Sequence, residues 1–219
     1  MTFPGAARLD LAIGVPVMVD IRTALPEREL APMLEDAFSW LRWVGDTLAH
    51  EFERFHGGQT IEQVPEVIEV LHRCDELYEA TGGWFDKADH TAYLRGWAIE
   101  RLSRALSTAG AVDHRIDAGG DVRVRGCASP GRPWRIGVRD PHEDVVRKVL
   151  IARDLAAASV GEITVSGPDL GVAAAYAAAM HRMGPARARR FARRLPYQTL
   201  ILTRDGARVH GGVEPSLAG

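Results

Sequence analysis

Apolar side chains recur at every second position in "IGVPVMVDIR", where Val15, Val17, Val19 and Ile21 alternate with other residues, and this predicts a half-buried strand. The period then changes. From about Pro26, which suits a first helical turn, Leu30, Leu34, Phe38 and Leu41 follow helical spacing. In "TIEQVPEVIEVLHRCDELYEATGG" the positions Val67, Leu71, Cys74, Leu77 and Tyr78 form one stripe of an amphipathic helix that Gly82 and Gly83 stop. After the connector "WFDKADHTA", the segment "YLRGWAIERLSRALSTAG" resumes helical spacing and ends at Gly110. In "DHRIDAGGDVRVRG", His114 and Ile116, then Val122 and Val124, flank a glycine pair, which reads as two extended pieces bent at Gly119 and Gly120.

"PWRIGVRDP", "VRKVLIARDLAAASV" and "EITVSG" read as further strands. A helix over "GVAAAYAAAMHRMG" follows, then a short arginine-rich helix, then "QTLILTRDGARVHGG", a hairpin turning at Asp205 and Gly206. Strands and helices mix without strict alternation, and strands stand next to one another near both ends. This predicts one α+β (mixed α/β) domain over residues 1–219 with antiparallel pairing.

Bulk composition narrows the functional classes. With 219 residues, 46% of them hydrophobic, the chain can fill a sizeable core. A formal net charge of -2 with mixed signs offers no electrostatic case for nucleic acid or an anionic membrane as partner. The one basic cluster, Arg187, Arg189, Arg190, Arg193 and Arg194, reads as the solvated face of a short helix. Cys74 and Cys127 lack metal-type spacing and are too few for a disulfide framework. Neither a secretory leader nor a run of about 20 apolar residues is read in the sequence, so a cytoplasmic protein is expected.

Two stretches concentrate chemistry. In "AGGDVRV", Asp117 and Asp121 bracket Gly119 and Gly120; the glycines would let backbone approach a ligand and offer amides to phosphate, or would simply bend paired strands. "GGWFDKADH" places Asp86, Asp89 and His90 within five residues, a set able to act as base, acid or ligand, or to be a solvated loop. Other histidines carry less: His181 reads as a cation at a helix C-terminus, His72 as partly exposed, and His50 and His56 as neighbours of intervening acids. No GxSxG elbow, HExxH, paired CxxC or P-loop occurs.

The ordered series "ATGGWFD", "YLRGWAIERL", "DAGGDVRVRG", "GRPWRIGVRDP", "RDLAAAS", "TVSGPDL" and "AAAYAAAMHRMG" resembles the ApbE-type flavin transferases, from roughly Gly14 to Gly212. The resemblance implies a mixed α/β fold with FAD in a central cleft. It also implies a divalent metal, usually magnesium, and transfer of FMN from FAD to a threonine of a target protein with release of AMP. Phe85 and Asp86 stand in the family's GxFD motif, Gly96 in its KG pair, and Gly119, Gly120 and Asp121 in its GGD. On this basis Phe85, Arg95, Gly96, Gly119 and Gly120 are the expected ligand-binding positions, and Asp86, Asp89, His90, Asp117 and Asp121 the expected catalytic ones.

Departures from the family are systematic. Its lysine is replaced by Arg95, and the aspartate and threonine that help hold the metal by Ala174 and Ala178, whose methyl groups cannot ligate a hard cation. The long family segment with a histidine-isoleucine-aspartate-proline motif is missing, because Ser159, Val160, Gly161 and Glu162 lead almost directly into the next strand. The stretch "GDTLAHEFERFHGG" is shortened, with Asp46 alone at a family position, and the DxxGxxKG turn is reduced to "DHTAYLRG".

The favoured reading from sequence is therefore a repurposed enzyme that needs no metal or other cofactor and rearranges, cyclises or eliminates on a non-flavin small molecule. The alternative is an FAD:protein FMN transferase using FAD and magnesium. A second alternative is a non-catalytic flavin-binding or partner-binding protein.

Overall fold

In the computed structural model, residues 5–59, 64–87, 90–143, 145–203 and 206–211 are described, and Asp89 and Asp205 lie outside them. The scaffold is an eight-stranded sheet in the order β1 (Ala6–Ala12), β2 (Val15–Ile21), β3 (His114–Ala118), β4 (Asp121–Arg125), β8 (Asp154–Val160), β9 (Ile163–Gly167), β10 (Gln198–Thr203) and β11 (Gly206–His210). Every neighbouring pair is antiparallel. A three-stranded sheet, β5 (Cys127–Ser129), β6 (Arg132–Arg139) and β7 (Val146–Ala152), covers part of one face. Trp134, Ile136 and Val138 of β6 bury there with Val122, Val124, Leu200 and Leu202 of the larger sheet.

The opposite face carries the helices and the main core. The register pairs Val19 with Ile116, Ile116 with Arg123, Arg123 with Ala156 and, two residues along β8, Ala158 with Val165, so buried positions on one face run across five strands. Ala156 and Ala158 keep that floor shallow. Upon it rests α5 (Leu170–Met183), whose alanines are buried nearly all round, as an apolar helix in a protein interior must be. Asp169 caps this helix through the Val172 amide at 3.0 Å.

Two strands escape the sequence pattern. β1 is joined to β2 by Ile13 and Gly14, both with positive φ (46° and 75°), a two-residue turn usually marked by Asn-Gly rather than a β-branched residue. β5 is a three-residue strand between Gly126 and the next turn. Among the helices, α1 (Glu27–Trp43) begins one residue after Pro26, which serves as its N-cap, and continues through a π-helical turn, Val44–Leu48, into α2 (Ala49–His56). In α3 (Pro65–Ala80) the buried stripe is Val67, Val70, Cys74 and Leu77. Tyr78, expected on that stripe, instead covers the Gly82–Gly83 turn from outside with Lys87 5.2 Å above its ring.

α4 (Thr91–Thr108) packs beside α5, and Gly110 at φ 94° follows its end. In α6 (Pro185–Ala192), Ala188 and Ala192 face inward, leaving Arg190, Arg193 and Arg194 outside while Arg187 lies over Trp84. Gly206, expected in the final turn, pairs with Thr203 as the first residue of β11.

All four helices α1–α4 belong to one excursion from the sheet, between β2 and β3. Its base is clamped: the Arg22 amide donates to the Asp113 carbonyl at 2.7 Å, and the Asp113 amide to Thr23 Oγ1 at 2.8 Å. Among the described residues no helix is long and apolar enough to cross a membrane.

Candidate functional site

Three contacts fix how α5 lies against α4. The Leu170 amide reaches Glu100 Oε2 at 3.3 Å, Gly171 abuts Gly96, and Arg182 Nη1 stands 3.2 Å from Asp86 Oδ2, just before α4 begins. The helices are therefore antiparallel, and the C-terminal end of α5 overhangs the N-terminal end of α4. The β3–β4 and β8–β9 turns lie at the same end of the sheet. Asp86, Arg95, Asp121, Ser159 and the last turn of α5 thereby gather at one end of the sheet, the candidate cleft.

Asp121 is its most constrained acid. Its side chain is 6% exposed, Oδ2 accepts from Arg95 Nε (3.2 Å) and Nη2 (3.1 Å), and Oδ1 accepts from the Ser159 amide at 3.3 Å. Burial raises its pKa above the usual carboxylate range, with the Arg95 charge and the Ser159 amide opposing that rise. Asp86 and Arg182 form a second carboxylate–guanidinium pair at the exposed mouth.

The remaining positions expected from sequence serve the frame. Asp117 pairs with Arg115 at 2.6 Å and accepts the Gly120 amide at 3.2 Å. The Gly119 amide donates to the Pro16 carbonyl. Both glycine amides are thus spent on the bend, so of the two readings of the pair, bent paired strands describe it and a phosphate cradle does not. Gly119 and Gly120 have φ of 62° and 97°, which is what the turn requires of them.

Phe85 is 1% exposed, in the core, with its amide on Thr81 Oγ1; it anchors the loop rather than lining the cleft. Gly96 faces Gly171, not open space. His90 precedes α4 and stacks on Phe52 with ring centroids 4.1 Å apart.

Beneath the cleft runs a buried polar chain. Arg123, 1% exposed, places Nε 2.8 Å from Glu100 Oε2, and Arg125 Nη2 places itself 3.1 Å from Glu100 Oε1. Arg125 Nε donates to Ser103 Oγ, which lies 2.8 Å from His114 Nε2, while His114 Nδ1 donates to the Ala111 carbonyl at 2.7 Å. A carbonyl only accepts, so Nδ1 carries the proton and Nε2 accepts from Ser103. The imidazole is accordingly neutral: burial first, then the charges of Arg125 and Arg123, push its pKa down to about 4.

An unfolded histidine protonates near 6.5, so between about pH 6.5 and 4 the unfolded chain binds the extra proton. Stability attributable to this site is complete above that window and lost as pH falls through it, by up to about 3 kcal/mol. Urea midpoints at pH 7 and pH 4.5 should fall further apart in the native chain than in His114→Asn.

A divalent metal of the implied kind does not fit this cleft. Ala174 and Ala178 offer no oxygen, and among the described residues no group of three His, Cys, Asp or Glu side chains is placed to hold one. Gly161 and Glu162 alone connect Val160 to Ile163, with Gly161 at φ 56°, so β8 and β9 meet in a tight hairpin, as the missing segment implied.

Beyond that turn, between α5, α6 and β10, a cavity of about 790 Å3 is lined in part by His142, Glu162 and His181. His142 Nε2 and Glu162 Oε1 are 3.1 Å apart, which holds Glu162 below the usual carboxylate range. The pair joins two distant hairpins and left no sequence signal. Arg182 did leave one, since it follows Ala178 by one helical turn on the same face.

Comparison with known proteins accords with this geometry. Residues 87–163 match the ApbE family. An FAD:protein FMN transferase of Vibrio cholerae serotype O1 is 28% identical over 76 residues, 34% of this chain and 23% of the relative. One from Rhodobacter capsulatus is 42% identical over 55 residues, 25% of this chain and 10% of the relative. The matched part thus spans under a quarter of the length of these curated relatives. The crystal structure of the ApbE protein from Thermotoga maritima superposes with a TM-score of 0.78 at 16% identity, covering 95% of this chain and 97% of that one, which establishes a common fold. Residues 87–163 are thus similar in sequence to the ApbE family, and the chain as a whole shares the fold of the solved ApbE structures.

Proposed function

We propose that this chain binds FAD in the cleft and transfers its FMN portion to a protein, the activity for which its relatives are named, with a threonine hydroxyl as the acceptor. The observation that supports this most is the convergence of Arg95–Asp121 and Asp86–Arg182 on one cleft of an ApbE scaffold. In the reaction the acceptor oxygen attacks the FMN phosphorus and the anhydride bond breaks toward AMP, which leaves with the bonding electrons. The hydroxyl proton goes to a base, and Asp86, exposed at the mouth, is the carboxylate an entering hydroxyl meets. Asp121 holds Arg95 in place, and no step is assigned to a metal.

A second reading is favoured by Ala174, Ala178 and the closed β8–β9 turn: the same cleft, remodelled for metal-independent acid/base chemistry on a non-flavin small molecule. Incubation with FAD and a threonine-bearing acceptor, following AMP release and flavin attachment, separates the two. Release that depends on the acceptor supports transfer. Flavin binding without release leaves a binding protein, and no flavin binding at all overturns the proposal in favour of the second reading.

A further inference from the structure

The family's cation has lost its oxygen ligands here, yet a phosphate-bearing ligand still brings negative charge that something must offset. Arg182 stands four residues beyond Ala178, and Ala178 four beyond Ala174, so the face that lost its ligands ends in a guanidinium. Arg182 is held to the loop before α4 by Asp86 at 3.2 Å, with 42% of its side chain exposed. Across the cleft, Arg95 occupies the family's lysine position. One oxygen of Asp121 receives both its Nε and Nη2, and 26% of the Arg95 side chain is exposed.

We infer that Arg95 and Arg182 together take the place of the divalent cation, gripping the diphosphate of the ligand from two sides in a metal-independent site. Each guanidinium is already paired with one carboxylate, so what the two offer a diphosphate is a set of directed, charge-assisted N–H donors. Arginine also stays charged throughout the working pH range and matches phosphate oxygens two at a time, which a lysine ammonium does not. Asp121 is then a positioning residue that fixes Arg95, while Asp86 fixes Arg182 in addition to meeting the acceptor hydroxyl. The inference deepens the FAD reading and rests on it for the ligand's identity, but its charge logic requires only a diphosphate.

The test uses the whole chain with two probes, FAD and inorganic pyrophosphate, titrated calorimetrically in EDTA and in excess magnesium. Affinity for either probe should agree within about twofold between the two conditions. It should fall at least about tenfold in Arg182→Gln and be partly recovered in Arg182→Lys. Arg95→Lys, which keeps a charge on the buried Asp121, should weaken binding less than Arg182→Gln does.

Tenfold tighter binding with magnesium than in EDTA, or unchanged binding by Arg182→Gln with a native melting temperature, overturns the inference and leaves the FAD reading standing. Pyrophosphate binding that depends on Arg182, with no binding of FAD, overturns the FAD reading and upholds the inference. Failure of both probes overturns both.

Discussion

Glu100→Ala should lower the unfolding free energy by about 3–5 kcal/mol, read as a shift of the urea midpoint with an unchanged slope. The mutation removes the carboxylate that faces Arg123 at 2.8 Å and Arg125 at 3.1 Å, and it also removes the acceptor of the Leu170 amide at the start of α5. Arg123 is 1% exposed and retains, among the described residues, the largely exposed Asp154 as its acidic partner. An unbalanced guanidinium in that position cannot reach water, so the loss exceeds what a surface ion pair contributes. A Glu100→Ala chain as stable as the native one would mean that the network is solvated in solution. Glu100→Gln should fall between the two, since it keeps the shape and one acceptor while losing the charge.

Gly96→Val should be comparably damaging, by about 3 kcal/mol or more, through overpacking rather than charge. A Cβ at position 96 would stand 2.7 Å from the Gly171 Cα and nitrogen and from the Leu170 carbonyl oxygen. All three are backbone atoms, so no side chain can swing aside and the two helices must part. Because α5 also forms the far wall of the cleft, the same variant should weaken ligand binding even at temperatures where it remains folded. The control is Gly120→Ala, which meets open space and suffers only from its positive φ. If Gly96→Val were no worse than this control, close contact between α4 and α5 would not be a feature of the folded chain.

Periodicity made most of the fold legible. Val15 to Ile21, the stripe from Val67 to Leu77 and the paired strands about Gly119 and Gly120 all stand where spacing places them, because burial on one face enforces the spacing. β1 was hidden by its turn: Ile13 adopts φ 46° against the preference of a branched side chain, so no turn signal marks the hairpin. The covering sheet β5–β7 was hidden for a different reason, since which strands pair is a long-range property that alternation within each strand does not encode.

The site was legible as a set of residues more than as an arrangement. Spacing alone could not show that Asp117 and both glycine amides are consumed in holding the bend, that Phe85 points into the core, or that Gly96 is a helix contact. Arg182 follows Ala178 by one helical turn, a spacing that does not identify its partner. Its meaning depends on Asp86, almost a hundred residues earlier in the chain, and such a pair is set by how α5 crosses the loop before α4.

The clamp of Arg22 on Asp113 has a consequence for the order in which this molecule can assemble. Asp86 and Arg95 reside in the excursion that the clamp closes, whereas Asp121 and Ser159 reside in the strands that follow it. Neither half of the cleft is complete until β2 has found β3 across all of residues 22–113, a closure whose entropy must be met before its contacts repay it. Ligand-binding competence should therefore be among the last properties gained on refolding, and exchange of the Arg22 amide with solvent should track the opening of the cleft.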